Sequence, residues 1–374
     1  MPSQKNTAYI IAAITVGTLF ILYVTHGSSS FPAGQLVTAA PGYTRERPTK
    51  TYQEYEVTEK PKEIEVTEAP SLQPTKAYPY SLVPPRIFKD NTMKIYTYPI
   101  VDTDKKCDVA LTTALSSAGD NLTKENLGKI HLIKDFFPTL HPSLTPGYWY
   151  CLYFGVDTVD PFFGKVEGQQ AVVDWVRNWA KENKVQLSYI SWSLVPFKKH
   201  SAWAHNDAVM TAHRDGVEWF FRVNDDTRYT SKNWTGRFIE ELNKLNKIGV
   251  VGPSFSRGNT QILTYDFTHR THIHIYGYHW PRAFPNWYGD DWITQNYKPN
   301  NIKKLKDITI EHIVHSSRYL TGAEKSDPGL SSGMSTAEAC KTTKAILKKY
   351  LECRKTKTEI QCRNFDYTIN KVAS

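Results

Sequence analysis

Trp219-Phe220-Phe221-Arg222-Val223-Asn224-Asp225-Asp226-Thr227 is the stretch on which the reading of this chain turns. Its first half is apolar and aromatic, and short enough for one buried strand. Its second half ends in two adjacent acids, which puts hard oxygen donors on a fixed backbone at the mouth of a sheet. Ligands of open α/β sheets bind outside the carboxyl ends of the strands. Carboxylate oxygens there suit Mg²⁺ or Mn²⁺ held between protein and substrate phosphates. An Asp-Asp pair after a strand also serves as a turn or a helix cap, so the surrounding pattern has to decide.

Outward from this point, strands and helices alternate. Tyr148 to Val156 is an aromatic, β-prone run ending at Asp157. Ala171, Val172, Trp175, Val176 and Trp179 recur at helical spacing, and Val185 to Trp192 reads as the next strand. His200 to Arg214 reads as a helix stopped near Gly216. After the acids, Trp234, Phe238, Leu242 and Leu245 mark one helix face, and Ile248 to Pro253 a short buried strand. Such alternation predicts an α/β fold with a mixed, mostly parallel sheet flanked by helices. A helix is expected from Thr268 to Gly277, and a Lys-rich one, packed on the outside, from Ala337 to Leu351.

The ends of the chain are different. Ala8 to Val24 holds 17 residues without a charge, preceded by Lys5, which predicts a transmembrane signal anchor with a cytoplasmic N-terminus. A cleaved signal peptide is the alternative. Residues 28–91 are rich in Pro, Thr, Glu and Lys, and Glu56-Val57-Thr58-Glu59 recurs as Glu65-Val66-Thr67-Glu68; a flexible stalk is expected. The expected organisation is a tail and anchor over 1–27, stalk over 28–91, catalytic domain over 92–325 and helical extension over 326–374. The 374 residues carry a formal charge of +9, but Lys and Arg are scattered rather than striped, which argues against nucleic acid. Beyond an anchor the chain would lie in an oxidising lumen, where the sequons at Asn121 and Asn233 become usable. Its five cysteines would there form at most two bridges and leave one thiol.

A second acidic pair, Asp290-Asp291, stands among aromatics in Asn286-Trp287-Tyr288-Gly289-Asp290-Asp291-Trp292. Partial desolvation there raises a carboxylate's proton affinity and suits a general base. The plainer role for Asp290 is to cap a helix beginning near Trp292. Histidines are the third element. His312 or His315 could complete a metal shell begun by Asp226, and His269, His272 and His274 form a separate group.

Taken together, strand, Asn224-Asp225-Asp226, helix, Val250-Val251-Gly252-Pro253 and Trp287-Tyr288-Gly289-Asp290-Asp291-Trp292 resemble nucleotide-sugar-dependent glycosyltransferases of the GT-A fold. Tyr153 to Asp157, Asp160-Pro161-Phe162-Phe163 and Ala204 to Ala208 resemble that superfamily's Rossmann-type nucleotide-binding half, so the likeness covers about residues 129–319. Residues 93–128 fit the usual first strand poorly. The resemblance implies Mn²⁺ (or Mg²⁺) on Asp226 and His315, with a UDP-sugar favoured as donor. It implies nucleotide contacts from Asn224, Asp225, Asn206 and Asp157. It implies a catalytic base from the Asp290-Asp291 pair, Asp291 first, in an inverting transfer to a hydroxyl of a glycan or glycoprotein. Asn224 departs from the family's acid at that position. Anchor, spacer and head together resemble a Golgi type II membrane enzyme. A non-catalytic glycan-binding protein is the alternative, and a metal hydrolase built on His272 and His274 is a third.

Overall fold

The computed structural model describes residues 9–15, 18–24, 93–101, 107–117, 121–196, 200–313 and 336–363. The chain divides into two compact units, Met1–Gln73 and Pro74–Ser374.

In the first unit, β1 (Tyr9–Thr15) and β2 (Thr18–Val24) pair antiparallel, with Tyr9 opposite Val24 and Thr15 opposite Thr18. This corrects the expected transmembrane helix over Ala8–Val24. Among the described residues no helix is long and apolar enough to cross a membrane. The physical reason is composition. Ile, Thr, Tyr, Phe and Val, which fill both segments, are strand formers. The stalk expected over 28–91 lies outside the described residues.

The second unit is built on one mixed, nine-stranded sheet. Its strands are β3 (Lys94–Pro99), β4 (Val109–Leu115), β5 (Tyr150–Asp157), β6 (Leu187–Val195), β7 (Trp219–Arg222), β8 (Thr227–Tyr229), β9 (Val250–Ser254), β10 (Asp266–His269) and β11 (Ile302–His312). They lie in the order β3-β6-β5-β4-β7-β10-β9-β11-β8. The central four, β6, β5, β4 and β7, are all parallel, as are β9 and β11. β10 runs antiparallel between β7 and β9. The helices are α1 (Phe137–Leu140), α2 (Val166–Glu182), α3 (Ser201–Arg214), α4 (Trp234–Lys244), α5 (Thr271–Tyr276), α6 (Gly289–Tyr297), α7 (Thr336–Arg354) and α8 (Glu359–Cys362).

Both faces of the central strands are covered, which is why their sequences read as continuous apolar runs. Side chains alternate across the sheet with period two. Val109, Leu111, Leu152, Phe154 and Phe221 share the main core with Val172, Val176, Trp234 and Phe238 from α2 and α4. Ala110, Cys151, Tyr153 and Phe220 meet Ala208, Val209 and Ala212 of α3 on the other face. One of the four central parallel strands, β4, lies within the region whose sequence fitted a first strand poorly. All seven of its residues are buried, but two threonines and two alanines blunt its hydrophobic signal. The helix expected from Thr268 is a strand through His269 followed by α5.

Two disulfides, Cys107–Cys151 and Cys353–Cys362, leave Cys340 as a buried free thiol. α7 does not stand apart: Cys340, Leu347 and Tyr350 share a second core with Tyr276, Trp292 and Ile293 of α5 and α6.

Where α3 crosses β5, a Cβ on Gly155 would overlap the Ala204 carbonyl. Gly155→Ala is expected to destabilise the fold by about 2 kcal/mol or more, since rigid backbone must yield. Gly236 in α4 meets only the Thr145 methyl at 3.7 Å, so Gly236→Ala should instead stabilise by about 0.5–1 kcal/mol. Urea midpoints of the two variants would move in opposite directions.

Candidate active site

Strand order reverses between β4 and β7, and the crevice beyond the carboxyl ends of such strands is where ligands bind. β7 ends there at Arg222, and Asn224, Asp225 and Asp226 lead into β8. Arg222 stands directly opposite Asp266 on β10. Its Nε donates to Asp266 Oδ2 at 2.8 Å, with the two side chains 2% and 0% exposed. The other oxygen of Asp266 is 3.0 Å from His279 Nε2. Burial disfavours the ionised carboxyl, but Arg222 and then His279 outweigh it and hold Asp266 at about 2. The remaining Arg222 donors reach the Thr264 carbonyl and, at 3.3 Å, Asn224 Oδ1. Its guanidinium lies 4.5 Å from the centre of the Trp280 ring.

Asp225 is buried. Asp226 Oδ1 is a buried atom without a hydrogen bond, 3.5 Å from His312 Nε2. The histidine arrives because β11 pairs antiparallel with β8, placing His312 opposite Thr227. The expected ligand His315 lies outside the described residues. Among the described residues no group of three or more His, Cys, Asp or Glu is placed to hold a metal.

The second doublet opens α6. Tyr288 precedes it with φ +70°, and a Cβ on Gly289 would overlap the Trp280 ring, so the helix start is seated on the ring that Arg222 covers. The two acids are not equivalent. Burial raises Asp290 to about 6, with Arg222 pulling it down and Asp291 pushing it up. Burial also raises Asp291, whose charge is felt at the Cys340 thiol of α7. Asp290 is thus the member within electrostatic reach of β7. Contacts run from Asn224 to Arg222, from Arg222 to Trp280 and from Trp280 to Gly289, and the Arg222 charge reaches Asp290.

Asn206, expected to touch nucleotide, is buried in α3 with its Oδ1 accepting the backbone N–H of His279 at 2.9 Å and of Trp280 at 3.1 Å. It positions the Trp280 loop from beneath. Asp157 ends β5, its Oδ1 accepting the Val159 N–H at 3.1 Å. A residue without an expected role, Asp160, ties the mouth of the crevice together. It accepts the backbone N–H of Ser117 at 2.7 Å and of Phe163 at 2.8 Å, joining the ends of β4 and β5. Asp266 was equally unforeseen; a lone acid between Tyr265 and Phe267 was the signal.

His272 cannot join a metal through a free lone pair. Its Nε2 pairs with the His279 carbonyl at 2.9 Å, and its Nδ1 accepts from the Tyr297 hydroxyl at 2.8 Å. His274 is held by Glu359 through Nδ1. The His-x-His hydrolase arrangement is therefore not assembled.

No sequence-family model matches the chain, and no curated protein is similar to it in sequence. Solved structures that resemble it include TarS of S. aureus, at 13% identity and a TM-score of 0.38, covering 68% of this chain and 44% of that one. Residues 1–349 of TarS with UDP give 12% and 0.38, covering 68% and 73%. The same fragment with UDP-GlcNAc gives 11% and 0.40, covering 68% and 77%. The chain thus spans less than half the length of the longer TarS chain, and such scores assign it neither ligand nor activity.

Two predictions follow from the buried charges. Arg222→Met leaves Asp266 without its cation and is expected to cost about 3–5 kcal/mol in urea unfolding. Burial, ahead of neighbouring positive charge, lowers both His269 and His272 to about 3. The unfolded chain takes up these protons near pH 6.5 and the folded one does not, so stability is full above 6.5 and falls as pH drops toward 3. At pH 5 the pair should cost about 4 kcal/mol relative to pH 8, read from urea midpoints at the two values.

Proposed function

We propose that this chain is a glycosyltransferase that moves a sugar from a nucleotide-diphosphate donor, UDP-sugar favoured, to a hydroxyl of a glycan or glycoprotein. The observation that supports it most is Arg222 at the switch point of the sheet, hydrogen-bonded beside the first aspartate doublet and within electrostatic reach of Asp290 in the second. The residues present fit a divalent cation in the manner of sites that use few protein ligands and substrate phosphates. Asp226 offers a buried oxygen without a partner, and His312 offers an imidazole 3.5 Å from it. These two would hold Mn²⁺ or Mg²⁺, which when bound supplies neutralisation of charge on the leaving diphosphate.

In the proposed step the acceptor oxygen attacks the anomeric carbon and its proton passes to a carboxylate of the second doublet. The bond from the anomeric carbon to the phosphate oxygen breaks, and its electron pair leaves with the nucleoside diphosphate. The sequence resemblance favours Asp291 as base. Electrostatics favours Asp290, because the Arg222 charge reaches it and burial brings its carboxyl to about 6. Attack from the side opposite the donor phosphate would give inversion. We extend the proposal to a membrane-associated enzyme with its head in an oxidising lumen such as the Golgi. The two disulfides support an oxidising compartment.

With UDP-sugars as donors and a glycan panel as acceptors, kcat/KM should rise with pH through about 6 and level off above it, since a base acts deprotonated. Asp290→Asn should lower turnover by about 10²–10⁴-fold while UDP binding persists, with a smaller loss in Asp291→Asn. Asp226→Ala should remove Mn²⁺-dependent UDP binding. Equal rates for Asp290→Asn and the parent would reject Asp290 as base. Glycan binding without any UDP binding would favour the non-catalytic alternative.

A further inference from the structure

We propose that Arg257, carried on the exposed loop between β9 and β10, is the side chain that grips the donor diphosphate opposite the Asp226–His312 pair. This rests on the glycosyltransferase reading and adds a residue to it. The loop has a fixed base and a free apex. At the base, Phe255 is buried edge-on against Tyr265, with ring centres 5.5 Å apart. Lys304 Nζ donates to the Thr260 carbonyl at 2.8 Å and lies 4.1 Å from the centre of the Phe255 ring. Residues 256–260 between these ties are exposed.

The apex borders the candidate metal-side pair. Gly258 has φ +84°, and a Cβ added there would lie 3.9 Å from His312 Nδ1, the nitrogen opposite the one that faces Asp226. Arg257 is the next residue, on a side chain long enough to reach over that imidazole. The neighbouring cations are committed elsewhere. Lys304 ties the loop, Arg228 pairs with Asp135 and Glu311, and Arg222 is buried against Asp266. Among the described residues Arg257 has no ion pair or hydrogen bond. An exposed Arg surrounded by solvent needs no explanation, but one mounted beside the Asp226–His312 pair has a ligand to meet. A guanidinium binds phosphate oxygens in a bidentate fork. When the bond from the anomeric carbon to the phosphate oxygen breaks, the electron pair moves onto the diphosphate, and a fixed cation there stabilises the charge that develops.

The test is calorimetry with UDP and GDP, with and without Mn²⁺, on the parent, Arg257→Ala, Arg257→Lys and Asp226→Ala, with uridine as a phosphate-free control. Arg257→Ala should weaken diphosphate binding about tenfold and lower turnover with a UDP-sugar about 100-fold, with uridine affinity and melting temperature unchanged. Arg257→Lys should recover part of both. If Arg257→Ala binds UDP and GDP as the parent does while Asp226→Ala does not, the donor site stands and Arg257 has no part in it. If the parent binds neither nucleotide under either condition, the glycosyltransferase reading and the role of Arg257 fall together.

Discussion

One buried ion pair organises the site: Arg222 and Asp266, opposite each other on neighbouring antiparallel strands, both withdrawn from water. Such a pair contributes little net stability compared with apolar residues of the same size, because desolvation offsets its attraction. What it imposes is geometry. A guanidinium has five donors in a fixed plane, and here they are distributed to Asp266, the Thr264 carbonyl and Asn224 while one face lies on Trp280. The end of β7, the start of β10 and the loop before α6 are thereby held in a single arrangement.

The same positive charge sets the local chemistry. It depresses Asp266, opposes the rise of Asp290, and adds to the burial that keeps His205 neutral beside Trp280. It also accounts for Asn224. Asp266 already neutralises Arg222, so a carboxylate at half-buried position 224 would add a further negative charge beside the two acids that follow it. An amide oxygen accepts the Arg222 hydrogen bond without that penalty. The amide at 224 therefore has a local electrostatic reason that leaves Asp226 unaltered.

Periodicity revealed β5, β6, β9 and helices α2, α3, α4 and α7, because each carries its own apolar pattern. β4 was hidden by its small and hydroxylated residues, although it is one of the four central parallel strands. The apolar run at residues 8–24 satisfied the length rule for a membrane helix, but its residues are equally strand formers, and those of β1 and β2 pair antiparallel. Both acidic doublets were legible as motifs. The Arg222–Asp266 pair was not, since its two residues lie 44 apart on neighbouring antiparallel strands. Pairing register decided the histidine as well. His312 meets Asp226 because β11 runs on to pair with β8, and no spacing rule along the chain shows where that pairing ends. Asn206 was recognised as part of a motif, but an amide in a buried helix serves the backbone it faces.

The two aspartate doublets rest on different cores, and this gives the C-terminal helix a part in holding the second. Phe221, Tyr229 and Ile310, which carry the first doublet and its histidine, belong to the main core. Trp280, Trp292 and Ile293, which carry the second doublet, belong to the other, together with Cys340, Leu347 and Tyr350. Trp292 Nε1 donates to Thr343 Oγ1 at 3.2 Å, and Thr343 donates in turn to Asn296 Oδ1 at 2.7 Å. α6 is therefore braced from behind by α7 and from in front by Trp280. A short helix of nine residues has little stability of its own, so the position of Asp290 is fixed by those two contacts rather than by propensity. α7, which the sequence presents as a peripheral lysine-rich extension, acts as the rear wall of the acid-bearing side, and Arg222 couples that side to the end of β7, next to Asn224.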